Sequence, residues 1–276
     1  MADVTLIYAY WPNQPFGITW CDLPWAIRDA GLPKALSEAG HEVVESMLIA
    51  SDEPPDDLLV GFKLASEVAD EVRKARAAGE LPVVLCGSCA VAAAGVIGGL
   101  GGAGTGIAWF DAHADLNTPE TSTSGLFEGM ALSVATGGAW QALAHAHLSL
   151  EPASLEAVAL FGAREFDPPE QQLVAAHNML VTTDEDRAAR HLAGCDRVYA
   201  HVDMDVHSIS EVRANAYADD QGPSVAEVRA ALAQIDRIAA LSITGLDPAV
   251  DASGGALRSA IGHVTAVAAG WTKADA

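Results

Sequence analysis

The sequence predicts an α/β fold in which helices cover both faces of a parallel sheet. Short, continuous apolar runs recur along the chain, and longer stretches with helical periodicity lie between them. Strands of a parallel sheet are buried on both faces and are therefore apolar throughout, and their alternation with helices is typical of this class. The predicted strands occupy residues 4–10, 43–50, 82–86, 106–110, 157–162, 179–183, 197–203 and 239–244.

Two stretches, residues 57–78 and 224–237, have clear helical periodicity and are predicted to pack on this sheet. Residues 90–109 carry no charge and reach the length of about 20 residues that a membrane span needs. Seven of these residues are glycine, however, and glycine runs break helices. We therefore predict a buried helix over 90–100, a glycine-rich turn, and then the strand at 106–110.

The size and charge of the chain limit its organisation and its partners. It has 276 residues, half of them hydrophobic, and no linker or repeat divides it, so we predict a single domain over residues 1–276. Its 15 basic and 37 acidic residues give a net charge of -22. Such a field repels phosphates, which argues against nucleic acid and anionic membranes as partners and favours cations. Solubility alone is an equally simple reason for the charge.

The compartment is predicted from the cysteines and the first residues. Four cysteines are too few for a disulfide scaffold in a chain of this size. The sequence begins MADVTLIYAYWP, without the basic region and apolar core of a signal peptide. A reducing, cytoplasmic location is therefore expected.

Acidic residues follow two of the predicted strands at the sheet edge where sites form in parallel sheets. The strand at 106–110 leads into Asp111, His113 and Asp115, and the strand at 197–203 ends in Asp203, followed by Asp205. Alternation along the strand is expected to place the first three on one side. So many neighbouring carboxylates repel one another unless cations lie between them, and carboxylates with imidazole suit divalent metals. We predict two divalent ions; exposed loop acids are the alternative.

These residues belong to longer motifs. Residues 111–119 read DAHADLNTP, 123–125 read TSG, 162–170 read GAREFDPPE, and 246–248 read LDP. Together with the pair of acids at 203 and 205, they resemble the signature of the arginase (ureohydrolase) family, over about residues 82 to 250. The resemblance implies a three-layer α/β/α arginase-like domain with a parallel sheet of about eight strands, a homo-oligomer and a small-molecule substrate.

The resemblance also implies a site with two manganese ions. By position, Asp111 and Asp203 would bridge both ions, Asp115 would bind the first, and His113 and Asp205 would bind the second. Asp115 would also accept a hydrogen bond from the attacking hydroxide. In such a site the ions lower the pKa of water and so provide a nucleophile at neutral pH.

A Cys-x-x-Cys motif, VLCGSCA at 84–90, stands where the family has Gly-Gly-Asp-His-Ser, whose His binds the first metal. Cys89 then occupies the His position and Ser88 the Asp position. In this respect the chain resembles the branch of the family that contains the Nω-hydroxyarginine hydrolase of D-cycloserine biosynthesis. We interpret Cys89 as a metal ligand and Cys86 as a small core residue. A structural thiol and a redox pair are the alternatives.

The cysteine changes the expected metal chemistry. Its thiolate adds a negative charge to the site and matches manganese poorly, so we expect a weakly held first metal or one replaced by a softer ion. His207 extends the alternating series 201, 203, 205 and is a candidate substitute ligand. A buried or surface histidine is the alternative.

Substrate-binding residues are implied only in part. Asn117 and Ser124 match family residues that hold an amino-acid α-carboxylate, and Asp167 matches one that holds the α-amine, with Glu170 nearby. These residues also suit turns and helix caps. Glu128 replaces the family's proton-shuttling His, and it relays protons near pH 7 only if its pKa is raised above the ordinary value of about 4.3.

Two further departures concern the guanidinium group. Gly245 stands where the family has a guanidinium-binding Glu, and Tyr217 falls in the loop that lines the guanidine pocket. Loss of the carboxylate removes a charge-assisted partner and weakens the case for arginine.

The function predicted is hydrolysis of a linear amidine or guanidine C–N bond by a binuclear metal enzyme. The expected substrate is an arginine-like amino acid, Nω-hydroxyarginine or arginine, which would give a urea-type product and an amine. The catalytic candidates are Asp115, Glu128 and His113. The alternative is a catalytically impaired homologue that acts as a binding or assembly protein, and a thiol-disulfide oxidoreductase is a third hypothesis.

Overall fold

A computed structural model of the protein describes residues 3–12, 20–50 and 57–272. Eight strands form one parallel sheet in the order β2-β1-β3-β8-β7-β4-β5-β6. Each predicted strand is present, so the predicted fold class is confirmed. The strands are β1 (Asp3–Tyr10), β2 (Val43–Ile49), β3 (Glu80–Cys86), β4 (Thr105–Phe110), β5 (Val158–Phe161), β6 (Leu180–Thr182), β7 (Arg197–Asp203) and β8 (Ile238–Thr244).

Helices lie on both faces of the sheet and complete three layers. The helices are α1 (Leu23–Asp29), α2 (Leu32–Glu38), α3 (Asp57–Ala78), α4 (Cys89–Leu100), α5 (Ala131–Ala135), α6 (Gln141–Leu148), α7 (Pro168–Ala176), α8 (Glu185–Leu192), α9 (Val225–Gln234) and α10 (Gly255–Gly270). Helices α3 to α7 pack on one face, and α1, α2, α8, α9 and α10 pack on the other. Each face of the sheet forms a hydrophobic core with its helices, and strand β4 contributes to both. Trp109 packs into the core on the side of α3 to α7, and Phe110 packs into the core on the opposite side.

The glycine-rich segment forms the predicted buried helix, turn and strand. Helix α4 packs tightly on α3, because a Cβ at Gly95 or Gly99 would lie 2.6 Å from Val68 or Val72. The glycines thus allow two helix backbones to approach closely. None of the helices in the described ranges combines the length and the apolar character that crossing a membrane requires.

The order of the strands brings four carboxyl ends together in the middle of the sheet. Strand β8 lies between β3 and β7, and β7 lies between β8 and β4. In this register Asp203 of β7 pairs with Thr244 of β8, and Phe110 of β4 pairs with Val202 of β7. The segments that follow these strands therefore meet at one edge, as expected for an open parallel sheet.

Candidate active site

A cavity of about 530 Å³ opens at the carboxyl ends of the central strands. Eleven of the residues that the sequence analysis assigned to the site line this cavity. They are the metal-ligand candidates Cys89, Asp111, His113, Asp115, Asp203 and Asp205, the substrate-binding candidates Asn117, Ser124, Asp167 and Glu170, and the proton-relay candidate Glu128.

Asp111, His113 and Asp205 form a compact group with the geometry of a metal site. One donor atom of each lies within 4.8 Å of the others. The Nδ1 atom of His113 is 3.3 Å from an Asp111 oxygen and 3.5 Å from an Asp205 oxygen. Two carboxylates and one imidazole suit a divalent cation such as manganese.

The segment that supplies Asp111, His113 and Asp115 is not a strand. Strand β4 ends at Phe110, so the expected alternation along a strand is wrong as the cause of their shared orientation. Instead, the His113 amide donates a hydrogen bond to the Asp111 carboxylate at 2.7 Å, and Asp115 has a positive φ of 53°. A positive φ is uncommon for a residue other than glycine, so this segment has an irregular backbone.

Asp203 connects Cys89 to the group formed by Asp111, His113 and Asp205. The Cys89 sulfur lies 3.2 Å from one Asp203 oxygen, and the Asp205 amide donates to the other at 2.8 Å. A single turn of 3-10 helix over Met204–Val206 follows β7 and keeps Asp205 buried beside Asp203. Asp203 therefore contacts both Cys89 and Asp205, and all six metal-ligand candidates line the same cavity.

Burial and mutual repulsion shift the protonation of this cluster. Burial and the charge of Asp205 raise the pKa of Asp111 to about 6, and burial with neighbouring carboxylates raises the pKa values of Asp115 and Asp203. Burial opposes the charge on His113, but the hydrogen bond with Asp111 and the nearby carboxylates outweigh it and raise the His113 pKa to about 11. Divalent cations would relieve this repulsion, so the donor set fits them.

Cys89 is buried at the base of the cavity as a free thiol. Burial and the charge of Asp203 raise its pKa, so a metal would have to displace the thiol proton in order to bind the sulfur. Cys86 is fully buried, and its sulfur accepts a hydrogen bond from the Ser88 amide at 3.3 Å, as expected for a core residue.

Glu128 lies against the amino end of helix α4. The Ser88 hydroxyl donates to its carboxylate at 2.8 Å, and the Ala90 amide donates at 3.2 Å. Burial outweighs these hydrogen bonds and raises the Glu128 pKa to about 7. A carboxyl group with this pKa can both take up and release a proton near neutral pH.

The substrate-binding candidates lie in the loop after β4 and at the start of α7. The Asn117 side-chain amide donates to Asp167 at 2.9 Å, so these two residues act together. Both oxygens of Glu170 are occupied, because one accepts from the Leu116 amide and the other from the Asp167 amide, each at 2.8 Å. Ser124 accepts a hydrogen bond from the Leu126 amide at 3.2 Å within a turn.

His207 lies away from this group of ligands. Its Nε2 atom is 2.9 Å from Nε2 of His263 in the core, and it does not line the cavity. The hypothesis of a substitute ligand is therefore wrong, because the 3-10 turn that follows β7 breaks the alternation on which it rested.

Two residues at the site, Arg164 and Asn215, were not found from the sequence. Arg164 forms an ion pair with Asp219 at 2.8 Å and donates to the Asp205 carbonyl at 3.1 Å. Asn215 donates to the Gly245 carbonyl at 2.8 Å and lies 3.4 Å from an Asp205 oxygen. Arg164 stands inside a quoted motif, but no pattern in the sequence shows that these two residues fix the segment around Asp205.

The structure also explains the absence of a side chain at residue 245. Gly245 has a positive φ of 64°, and a Cβ there would overlap the Asp203 carboxylate. With this backbone, a glutamate at this position could not coexist with the metal-ligand candidates.

Tyr217 is half-exposed at the cavity mouth, where its ring packs edge-on against Trp20 at 6.0 Å.

Comparison with known proteins agrees with this geometry. A model of the arginase family matches residues 24–270. The chain belongs to the arginase family. The arginase of Bacillus subtilis (strain 168) is 31% identical over 205 residues, which are 66% of this chain and 68% of that protein. The family match does not cover the whole chain, so a single domain over residues 1–276 stays a prediction.

Solved structures give the same fold for this arginase-family chain. Arginase from Bacillus cereus superposes with a TM-score of 0.88 at 23% identity, covering 97% of this chain and 98% of that one. The agmatine ureohydrolase of Thermoplasma volcanium superposes with a TM-score of 0.75 at 15% identity, covering 98% and 89%. The arginase-like architecture is therefore confirmed.

Proposed function

We propose that this arginase-family protein is a binuclear, metal-dependent hydrolase of a linear guanidine or amidine C–N bond. Membership in the family supports a hydrolase that acts on a guanidino C–N bond. The observation on which the proposal depends is the buried group of Asp111, His113 and Asp205 beside Asp203, at the base of a cavity open to small molecules. A cluster with so much like charge is otherwise unfavourable in a buried site.

The metal ligands proposed are those implied by the family resemblance. Asp115 and Cys89 would hold a first ion, and His113 and Asp205 would hold a second. Asp111 and Asp203 would serve both ions, most simply Mn²⁺. Bound ions would supply Lewis acidity and a water of lowered pKa as the nucleophile. Because thiolate prefers softer metals, we expect the first site to hold Mn²⁺ less firmly than the second.

Two carboxyl groups would handle the protons of the reaction. Asp115 faces the interior of the cavity and would accept a hydrogen bond from the attacking water. Glu128, whose pKa of about 7 leaves a large protonated fraction at neutral pH, would donate a proton to the departing amine nitrogen. Without that proton the amine is a poor leaving group, so this transfer would help the C–N bond to break.

The substrate proposed is an arginine-like amino acid, Nω-hydroxyarginine or arginine. Asn117 and Ser124 would bind its α-carboxylate, and Asp167 its α-amine, with Glu170 holding the Asp167 segment in place. The many acidic residues of the cavity favour a positively charged molecule. Cys89, together with the missing side chain at Gly245, supports the Nω-hydroxyarginine branch over arginine itself.

The test combines metal content with a product assay. The purified chain would be loaded with Mn²⁺, Co²⁺ or Zn²⁺, freed of unbound ion, and analysed for metals per chain, with Asp203→Ala as the control. Each loaded form would then be assayed with arginine, Nω-hydroxyarginine and agmatine for urea-type products. Two ions per chain in the wild type, fewer in the variant, and product from one substrate would support the proposal.

Two results would contradict it. Failure to bind any of these ions would remove the basis for a metal-dependent hydrolase. Full metal loading without turnover of any guanidine or amidine would instead favour the catalytically impaired homologue. The cytoplasmic location and the homo-oligomer stay predictions.

A further inference from the structure

A row of buried polar side chains runs through the sheet beneath the metal-ligand candidates. On β8, Thr244 lies 3.2 Å from the Cys89 sulfur and 3.2 Å from Nε2 of His201 on β7. On the other side of the imidazole, Nδ1 of His201 lies 2.8 Å from the Ser242 hydroxyl and 3.0 Å from the Tyr199 hydroxyl. These four side chains on β7 and β8 are fully buried, so each hydrogen bond among them matters for stability.

The row exists because of the strand register. His201 pairs with Ser242, and Asp203 pairs with Thr244, across the boundary between β7 and β8. Residues two apart on a strand face the same side, so Thr244 stands beside Asp203 and above His201. The imidazole stacks on Trp109 at 3.7 Å with an interplanar angle of 8°, which fixes the plane of the ring.

The direction of the hydrogen bonds follows from the chemistry of each group. A metal-bound Cys89 sulfur carries no proton and can only accept a hydrogen bond. The Thr244 hydroxyl, 3.2 Å away, is then the donor that faces the sulfur, and its oxygen can accept from an N–H on Nε2 of His201, also at 3.2 Å. With the hydrogen on Nε2, Nδ1 of His201 accepts from the Ser242 or Tyr199 hydroxyl.

We propose that His201 and Thr244 are positioning residues for Cys89, with His201 fixing the Thr244 hydroxyl so that it donates a hydrogen bond to the sulfur in the metal-bound state. The inference rests on the proposed metal site. When the thiol proton is displaced, the donor from Thr244 stays in place and partly neutralises the added negative charge. Groups that hydrogen-bond to ligands in this way tune both metal affinity and ligand strength.

Cobalt binding tests the inference directly, because a cobalt–thiolate bond gives a charge-transfer absorption that carboxylate and imidazole ligands do not. The full-length chain would be titrated with Co²⁺, with Cys89→Ser identifying the band. Thr244→Val keeps the shape and removes the hydroxyl. We expect it to weaken the binding that produces the band roughly ten-fold. Thr244→Ser should restore wild-type affinity.

Thr105→Val is the matched control, because Thr105 is also a buried threonine in a strand but donates to the Gly101 carbonyl far from the cavity. It should leave cobalt binding unchanged. His201→Phe should weaken binding in the wild-type background and have no further effect in the Thr244→Val background, because His201 acts through Thr244. Thermal unfolding of each variant identifies any that fails to fold. If His201→Phe does not fold, the comparison of Thr244→Val with Thr244→Ser decides.

Three results would overturn the inference. Unchanged cobalt affinity in Thr244→Val would show that its hydroxyl does not support the sulfur. An equal effect of His201→Phe in both backgrounds would show that His201 does not act through Thr244. Cobalt binding without a thiolate band would exclude Cys89 as a ligand while leaving the hydrolase proposal intact, whereas failure to bind Mn²⁺, Co²⁺ and Zn²⁺ alike would contradict both.

Discussion

The Ser88 hydroxyl donates a hydrogen bond to the Glu128 carboxylate at 2.8 Å. By resemblance, the family has an aspartate at the first position and the proton-shuttling histidine at the second. The contact thus joins the two positions at which this chain departs from that resemblance, with a serine on the helix side and a carboxylate on the loop side. A carboxyl group with a pKa near 7 stands where a histidine, of similar ordinary pKa, would otherwise be.

Replacing Glu128 should change the pH dependence of turnover. If its protonated form donates to the leaving amine, kcat falls as the pH rises through about 7, the Glu128 pKa. Glu128→Gln should remove this limb of the profile and lower kcat by about 10²–10⁴-fold. The measurement is kcat against pH for both proteins at saturating metal. An unaltered limb in the variant would assign it to another group.

Replacing Ser88 should shift that limb without removing it. The Ser88 hydrogen bond favours the ionised Glu128, so Ser88→Ala should raise the Glu128 pKa and move the fall in kcat to higher pH. Ser88 is also the N-cap of α4, where its side chain accepts from the Val91 amide. Ser224→Ala is the matched control, because Ser224 caps α9 in the same way. It should lose similar stability, about 1 kcal/mol, with no change in the profile.

The stability of the metal-free protein should depend on the charge at Asp111. Its pKa is raised from 3.8 to about 6, so its contribution to folding is full below pH 3.8 and is lost as the pH rises through about 6. In the presence of a chelator, Asp111→Asn should therefore gain stability relative to the wild type as the pH rises from 3.8 to about 6. In excess Mn²⁺ the order should reverse, because only the wild type binds the ions fully. Thermal unfolding with and without Mn²⁺ at each pH measures both effects, and a pH-independent difference would contradict the assignment.

The sequence predicted the strands and the site better than the contacts within it. The eight strands were predictable because each is a continuous apolar run, and the cavity residues because they follow strand ends in known motifs. The contact between Ser88 and Glu128 joins residues 40 apart and leaves no periodic signal. The register that places Thr244 beside Asp203 depends on which strands are neighbours, and β7 and β8 are separated by a helix and a long loop.

The two cysteines of the Cys-x-x-Cys motif should differ in their effect on metal content. Cys89 lines the cavity and touches Asp203, whereas Cys86 is in the core and contacts the Ser88 amide. Cys89→Ser should reduce the metal bound per chain, and Cys86→Ser should leave it unchanged. Metal analysis after removal of free ion measures this. Equal losses in the two variants would support a paired role for the thiols and count against Cys89 alone as the ligand.

Gly245 should tolerate no side chain, because its positive φ favours glycine and because the Asp203 carboxylate occupies the space that a Cβ would need. Gly254, at the start of α10, is the matched control. Its φ of 66° is close to the 64° of Gly245, but a Cβ there would meet only the flexible end of Arg258, at 3.0 Å. Left-handed backbone costs a residue with a Cβ about 1–2 kcal/mol, so both Gly245→Ala and Gly254→Ala should lower stability by this amount. Only Gly245→Ala should also displace the Asp203 carboxylate and lose bound metal. Metal content and thermal unfolding, measured on both variants, separate the two effects. Full metal binding by Gly245→Ala would mean that the segment can move away from Asp203, and that a glutamate at this position is compatible with the site after all.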